Sequence, residues 1–205
     1  MLETIRKTIK RFCLDFIQNP YLCYTEHGQH ALFYTMLFNT IPEEQRFFPF
    51  EGKKVCTLQK EYPTAGKLVK SQRSHWDVAI LKSSTDISLA KLGINSYDYL
   101  KVFAAIEFGM NATENHLKVD IHRLSHCESN VEHGFIVHLY RLSDSGDLFS
   151  NRDWSSKSPR IRTRNQILEI ENRKSVEIYY GMADITGNFD QGVWRIKGDE
   201  IQEII

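Results

Sequence analysis

The run KVFAAIEF at residues 101–108 limits what this chain can fold into more than any other feature. Its composition suits a central strand of a sheet, covered on both faces. Helices have to supply that cover, and the surrounding sequence offers them. Residues 2–17 place Leu2, Ile5, Ile9, Phe12 and Phe16 at helical spacing, with Arg6, Lys7, Lys10 and Arg11 between them. After the Asn19-Pro20 break, Thr25 fits an N-cap for a second helix through EHGQHALFYTMLF, which Pro42 closes. A third helix is expected from about Ala112 to Cys127, with Leu117, Ile121 and Leu124 on one stripe.

Strands fill the remaining positions. KVCTLQKEYP reads as one strand ended by Pro63, and SHWDVAIL as its hairpin partner across the basic segment AGKLVKSQR. KSSTDISLAKLGINSYDYL contains a candidate short helix, and HGFIVHLYRL supplies a fourth strand after the third helix. The order is α-β-β-β-α-β. Beyond it, SDSGDLFSNRDWSSKSP has the composition of a loop or flap, and SVEIYYGMA and QGVWRIK read as two further strands joined through Thr186-Gly187-Asn188. The expected organisation is one domain over 1–205, with an N-terminal helix in 1–24, a core over about 25–142, and a flexible segment plus extra strands in 143–205. A chain of 205 residues that is 41% hydrophobic can bury one such core without a second domain.

Charge and cysteine usage exclude several function classes. Lys+Arg and Asp+Glu balance at 26 each, so no global field draws the molecule onto a polyanion, and any nucleic-acid site has to be a local patch. Cys13, Cys23, Cys56 and Cys127 are scattered without a C-x-x-C pair, which argues for reduced thiols rather than a zinc or redox centre. The N-terminal MLETIRKTIKRFCLDFI lacks the continuous apolar stretch of a signal peptide or membrane span, so a cytoplasmic location and no membrane partner are expected.

Two acidic residues sit where an ionised side chain is costly unless it is paired or bound to a metal. These are Asp77, inside an apolar strand, and Glu107, at the end of the central one. Convergent carboxylates holding Mg²⁺ or Mn²⁺ supply both the activated water and the counter-charge that phosphodiester hydrolysis needs, and Glu26 on the second helix can complete the set. Each residue also has a plainer reading. Glu26 can favour its helix N-terminus, Asp77 can pair with Arg73 or Lys82, and Glu107 can end a strand facing solvent. His27 and His30, or His116, His122 and His126, stand at helical spacing, but no HExxH arrangement accompanies them, and solvated or hydrogen-bonded imidazoles are the favoured reading.

In this order of elements the chain resembles the PD-(D/E)XK, restriction endonuclease-like superfamily. TEHGQHALFYTMLF resembles its first helix, VCTLQKEYP its first strand, RSHWDVAIL the strand with the Asp, VFAAIEFG the strand with the Glu, and HLKVDIHRLSH the next helix. The resemblance spans roughly residues 25–142. It implies an α/β fold with a mixed central sheet flanked by helices, Glu26, Asp77 and Glu107 as ligands of Mg²⁺ or Mn²⁺, and metal-dependent hydrolysis of DNA. One departure stands out: the family's lysine two residues after the strand-three acid is replaced here by Gly109. Lys118 on the next helix is the nearest candidate for a displaced lysine, although Glu114 four residues earlier offers it an ordinary helix ion pair.

Candidate nucleic-acid contacts are Lys67, Lys70 and Arg73 beside the Asp strand, and Arg160, Arg162 and Arg164 after the loop. DNA is the expected partner, with RNA not distinguished. Two readings compete with the nuclease: a nuclease-fold module that binds nucleic acid or protein without catalysis, for which Gly109 and the zero net charge argue, and a structural homodimer pairing through the edges of its C-terminal strands.

Overall fold

The computed structural model describes residues 1–64, 74–83, 100–142, 167–184 and 191–205. The expected central strand is β5 (Val102–Met110), and it runs through the middle of a seven-stranded mixed sheet. The sheet order is β3 (Leu58–Pro63), β4 (His75–Leu81), β5, β6 (Val131–Leu142), β7 (Val176–Asp184), β8 (Gly192–Lys197) and β9 (Glu200–Glu203). β3, β4 and β5 form an antiparallel meander, β5, β6 and β7 are parallel, and β8 and β9 return antiparallel.

Parallel neighbours need a crossover, and between β5 and β6 it is the helix α3 (Glu114–Ser125). Thr113 caps α3 by accepting from the His116 N–H. Leu117, Ile121 and Leu124 then pack with Trp76, Ala105, Ile136 and Tyr140 on one face of the sheet. The helices α1 (Leu2–Gln18) and α2 (Glu26–Thr40) cover the other face. There Ile5, Ile9, Phe12, Phe33 and Leu37 meet Val78, Ile106, Phe108 and Val137. Burying β5 on both faces explains its apolar run, and contributes about 1.5–3 kcal/mol for each large side chain enclosed.

Some boundaries differ from the sequence expectation. KVCTLQKEYP is two strands. β2 (Lys53–Cys56) pairs with β1 (Phe47–Phe50) in a separate hairpin, and β3 begins only after Thr57. The break has a cause: the Thr57 hydroxyl donates to the Gln45 carbonyl at 2.7 Å and its N–H to the Arg46 carbonyl, diverting the chain from one strand pairing to another. Glu51 and Gly52 both take positive φ in the hairpin turn, the backbone that matches strand twist in a two-residue connection. The fourth strand begins at Val131, and β9 extends the sheet beyond the two expected C-terminal strands. The candidate helix within residues 82–100, the loop at 143–159 and the turn at 186–188 lie wholly or mostly outside the described residues.

Candidate functional site

The β4–β5 ladder runs from Leu81↔Val102 to Val78↔Ile106 and stops there, while β5 continues to Met110 in register with β6. The two strands therefore part at Asp77 and Glu107. Asp77 spans the gap with its side chain: Oδ2 accepts the Phe108 N–H at 2.8 Å, replacing a ladder carbonyl. On the other side of β4, Glu61 lies between the pairs Lys60↔Val78 and Tyr62↔Trp76 and takes φ +53°, a strained value for a residue with a Cβ. Strain and an open ladder coincide at the acidic residue that the sequence singled out.

Glu26 is the first residue of α2, set in place by the Thr25 cap, whose hydroxyl accepts the Gly28 N–H at 3.1 Å. Its Oε2 accepts the Met110 N–H at 2.9 Å, so Glu26 and Asp77 hold amides two residues apart on the free end of β5. Each has a second carboxylate oxygen.

Glu107 turns to the α3 side of the sheet and is only 3% exposed. Arg123 Nη2 lies 3.0 Å from its Oε1, a close charge contact without the alignment of a hydrogen bond, and that oxygen has no other hydrogen-bond partner. Burial pushes the Glu107 carboxyl well above the usual carboxylate range, the charge of Asp77 pushes it further, and Arg123 only partly opposes them. Burial also raises Asp77, against the lowering effect of the Phe108 amide. Burial and the adjacent Asp77 charge thus favour the protonated form of Glu107.

The histidines flank this pair on both faces. On the α2 side, buried His30 approaches Asp77 with Nε2 3.6 Å from Oδ2, and burial lowers its pKa to about 4, so the ring is neutral at pH 7. On the α3 side, the buried Asp120 Oδ2 is hydrogen-bonded to His138 Nε2 at 3.2 Å and lies 3.4 Å from His116 Nε2. Arg123 joins the two groups of acids, lying 3.8 Å from Asp120 Oδ1 while its guanidinium stacks 5.0 Å over Trp76. His138 also explains Gly109. A Cβ at position 109 would lie 2.6 Å from His138 Nε2 and 2.8 Å from the Ala112 Cβ, so the space a lysine stem would need is filled by the imidazole.

Asp77 and Glu107 are thus brought together and Glu26 lies nearby, but the three do not gather their donor atoms within 4.8 Å. Among the described residues, the sets that do are His27, His30 and Glu61, and His116, Asp120 and His138. Lys118 takes the ordinary ion pair: it is 52% exposed, with Nζ 2.5 Å from Glu114 Oε1 on the solvent side of α3. It leaves the candidate set for that reason, and the cation beside Glu107 among the described residues is Arg123. Lys82, offered as a partner for Asp77, instead pairs with Glu132. Lys67, Lys70, Arg73, Arg160, Arg162 and Arg164 lie outside the described residues. Sequence reasoning missed Arg123, Asp120 and His138. Asp120 and Arg123 carry a faint signal, since they interrupt or flank the apolar stripe of α3, whereas His138 in its strand carries none.

No helix among the described residues is long and apolar enough to cross a membrane. No protein-family model, no curated protein and no solved structure matches the chain.

Proposed function

We propose that this chain is a divalent-metal-dependent phosphodiesterase with a restriction endonuclease-like core, acting on DNA through Asp77 and Glu107. The observation that carries the reading is the parting of β4 and β5 at these two residues, whose carboxyls are both raised by burial in the gap. The order α2-β3-β4-β5-α3-β6, with acids on the first helix, second strand and third strand, supports the PD-(D/E)XK resemblance.

Glu26, Asp77 and Glu107 offer only carboxylate oxygens, the donor type Mg²⁺ or Mn²⁺ prefers, and a bound ion would have to draw the three closer than they now stand. A dication there would relieve both the repulsion between Asp77 and Glu107 and the burial of Glu107 charge. When bound, it would lower the pKa of a water and polarise a phosphoryl oxygen. The chain's own residues do the positioning. The Phe108 and Met110 amides fix one oxygen each of Asp77 and Glu26, leaving the other oxygens as donors. Among the described residues Arg123 supplies a positive charge beside Glu107, the part the missing lysine would play towards a phosphate. His30, with a pKa near 4, is too weak a base to take a proton efficiently at neutral pH and serves instead as a neutral neighbour of Asp77.

A second reading is a nuclease-fold module that binds nucleic acid or a protein without cutting. One observation favours it: His138 fills the space beside Gly109, so the family's lysine is excluded by packing as well as by sequence.

Cleavage of single-stranded and duplex DNA and RNA, with Mg²⁺ or Mn²⁺, separates the two when the parent is run beside Asp77→Ala and Glu107→Ala. Metal-dependent cutting by the parent that both variants lose supports the enzyme. Salt-sensitive DNA binding that survives Asp77→Ala, without cutting, supports the binding module.

A further inference from the structure

We propose that His116, Asp120 and His138 form a binding site for a transition-metal dication of the Zn²⁺ type, separate from the carboxylate site at Asp77 and independent of the nuclease reading. Its ligand atoms are two imidazole nitrogens and one carboxylate oxygen, all within 4.8 Å of one another. That chemistry selects Zn²⁺ or Co²⁺ over Mg²⁺, which prefers an all-oxygen shell.

The distances fit. A tetrahedral Zn²⁺ with bonds of about 2.0–2.1 Å holds its ligand atoms about 3.3–3.4 Å apart. Asp120 Oδ2 is 3.2 Å from His138 Nε2 and 3.4 Å from His116 Nε2. A metal can therefore sit between Asp120 and either imidazole with little movement of that pair, while the two imidazole nitrogens lie within 4.8 Å of each other.

The fold builds the site from two elements. His116 and Asp120 stand one turn apart on α3, with the Thr113 cap fixing the start of that helix. His138 comes from β6, its ring lodged in the space left by Gly109. Its other nitrogen, Nδ1, lies 3.4 Å from the Tyr140 hydroxyl, the kind of outer partner that orients a ligating imidazole. Arg123 lies toward Asp120 Oδ1, which leaves Oδ2 as the donor. Asp120 and His138 are buried whereas the His116 side chain is 41% exposed, so an ion has a way in from the His116 side. The other gathered set, His27, His30 and Glu61, has two exposed members and lacks this enclosure.

The test is titration of the full chain with Zn²⁺ by calorimetry and with Co²⁺ by visible absorption. With excess Mg²⁺ present to occupy the carboxylate site, the expected result is one equivalent bound, with the intense visible bands of tetrahedral Co²⁺. Removing a direct ligand should weaken binding by at least the roughly 10–100-fold that loss of an outer partner produces. His116→Ala is the first variant, since a half-exposed helix residue can be replaced without unfolding the core; Asp120→Asn, checked by circular dichroism, is the second. His27→Ala, His122→Ala and Asp77→Ala should bind as the parent does. Absence of binding at micromolar metal overturns the proposal, as does binding that survives His116→Ala or is lost on His27→Ala or His122→Ala. Retention of Zn²⁺ by Asp77→Ala separates this site from the carboxylate site, whatever the cleavage result.

Discussion

Glu107 on β5 and Glu177 on β7 are equally enclosed, 3% and 4% exposed on the same sheet, yet their surroundings push their carboxyls in opposite directions. Burial raises both. At Glu177 it is outweighed by hydrogen bonds from Arg195, Arg6 and Tyr179, at 2.7 Å, 3.0 Å and 2.8 Å, and the carboxyl falls below its usual range. At Glu107 a single misaligned arginine faces a second carboxyl, and the group rises. A buried acid with a full set of donors fastens α1 to β7 and β8. A buried acid left short of donors, beside another, marks the place where the fold tolerates a cost, and such places are where function is found.

The most severe way to break this contrast is Glu177→Ala. It leaves Arg6 and Arg195 facing each other without their shared anion, and about 3 kcal/mol of stability should be lost in chemical denaturation at pH 7. A loss below about 1 kcal/mol would remove the distinction between a fastening glutamate and one left short of donors. The pH dependence carries the sign. Because the folded pKa of Glu177 lies below its ordinary 4.5, its contribution is complete above that pH and fades as the pH falls through the folded value.

Gly109→Lys is the next largest. Restoring the family's lysine drives a Cβ to within 2.6 Å of a buried imidazole, and overpacking of this kind costs about 1–3 kcal/mol. The midpoint of thermal unfolding should drop, and pairing the change with His138→Ala should recover part of the loss. Equal stability of Gly109→Lys and the parent would show that the His138 ring moves aside freely, and would revive the lysine as a removable rather than an excluded feature.

Glu107→Gln has a smaller effect of opposite sign. Gln imitates the protonated acid, which the fold prefers, so at pH 7 the variant should match or exceed the parent by about 1 kcal/mol. The folded pKa of Glu107 lies above its ordinary 4.5, so this residue's stability is fully present below that pH and is lost as the pH rises through the folded value. The advantage of Gln should therefore vanish near pH 4 and open towards pH 7, read from denaturation at both values. A destabilised Glu107→Gln at pH 7 would mean that Arg123 satisfies the carboxylate after all.

What could be read from the sequence divides along physical lines. The strand at residues 101–108, the Thr25 cap and the apolar stripe of α3 rest on local pattern, and each was legible. Asp77 and Glu107 were legible because a charge inside an apolar run is conspicuous before any contact is known. Arg6 and Glu177 lie 171 residues apart in the chain, and no local signal joins them. β9 was missed because it is short, polar and exposed throughout, and gains its strand geometry only by pairing with β8. Gly109 was visible as a missing lysine, but its reason, the His138 ring, arrives from the next strand.

Lys118→Ala is the smallest change and tests the border between the two kinds of residue. Its ammonium sits on the solvent side of α3 with Glu114, four residues away, an arrangement typically stabilising by about 0.3–0.5 kcal/mol and weakened by salt. The folded side chain is half exposed, so its removal opens no cavity and strands no buried group. Stability should therefore fall by less than about 0.5 kcal/mol, and any metal-dependent cleavage should keep its rate. Arg123→Ala should lower that rate, since Arg123 is the cation beside Glu107 and Asp120. A cleavage rate that collapses in Lys118→Ala while stability holds would place the ammonium at the phosphate during turnover, which requires α3 to shift towards the gap between β4 and β5 when substrate binds.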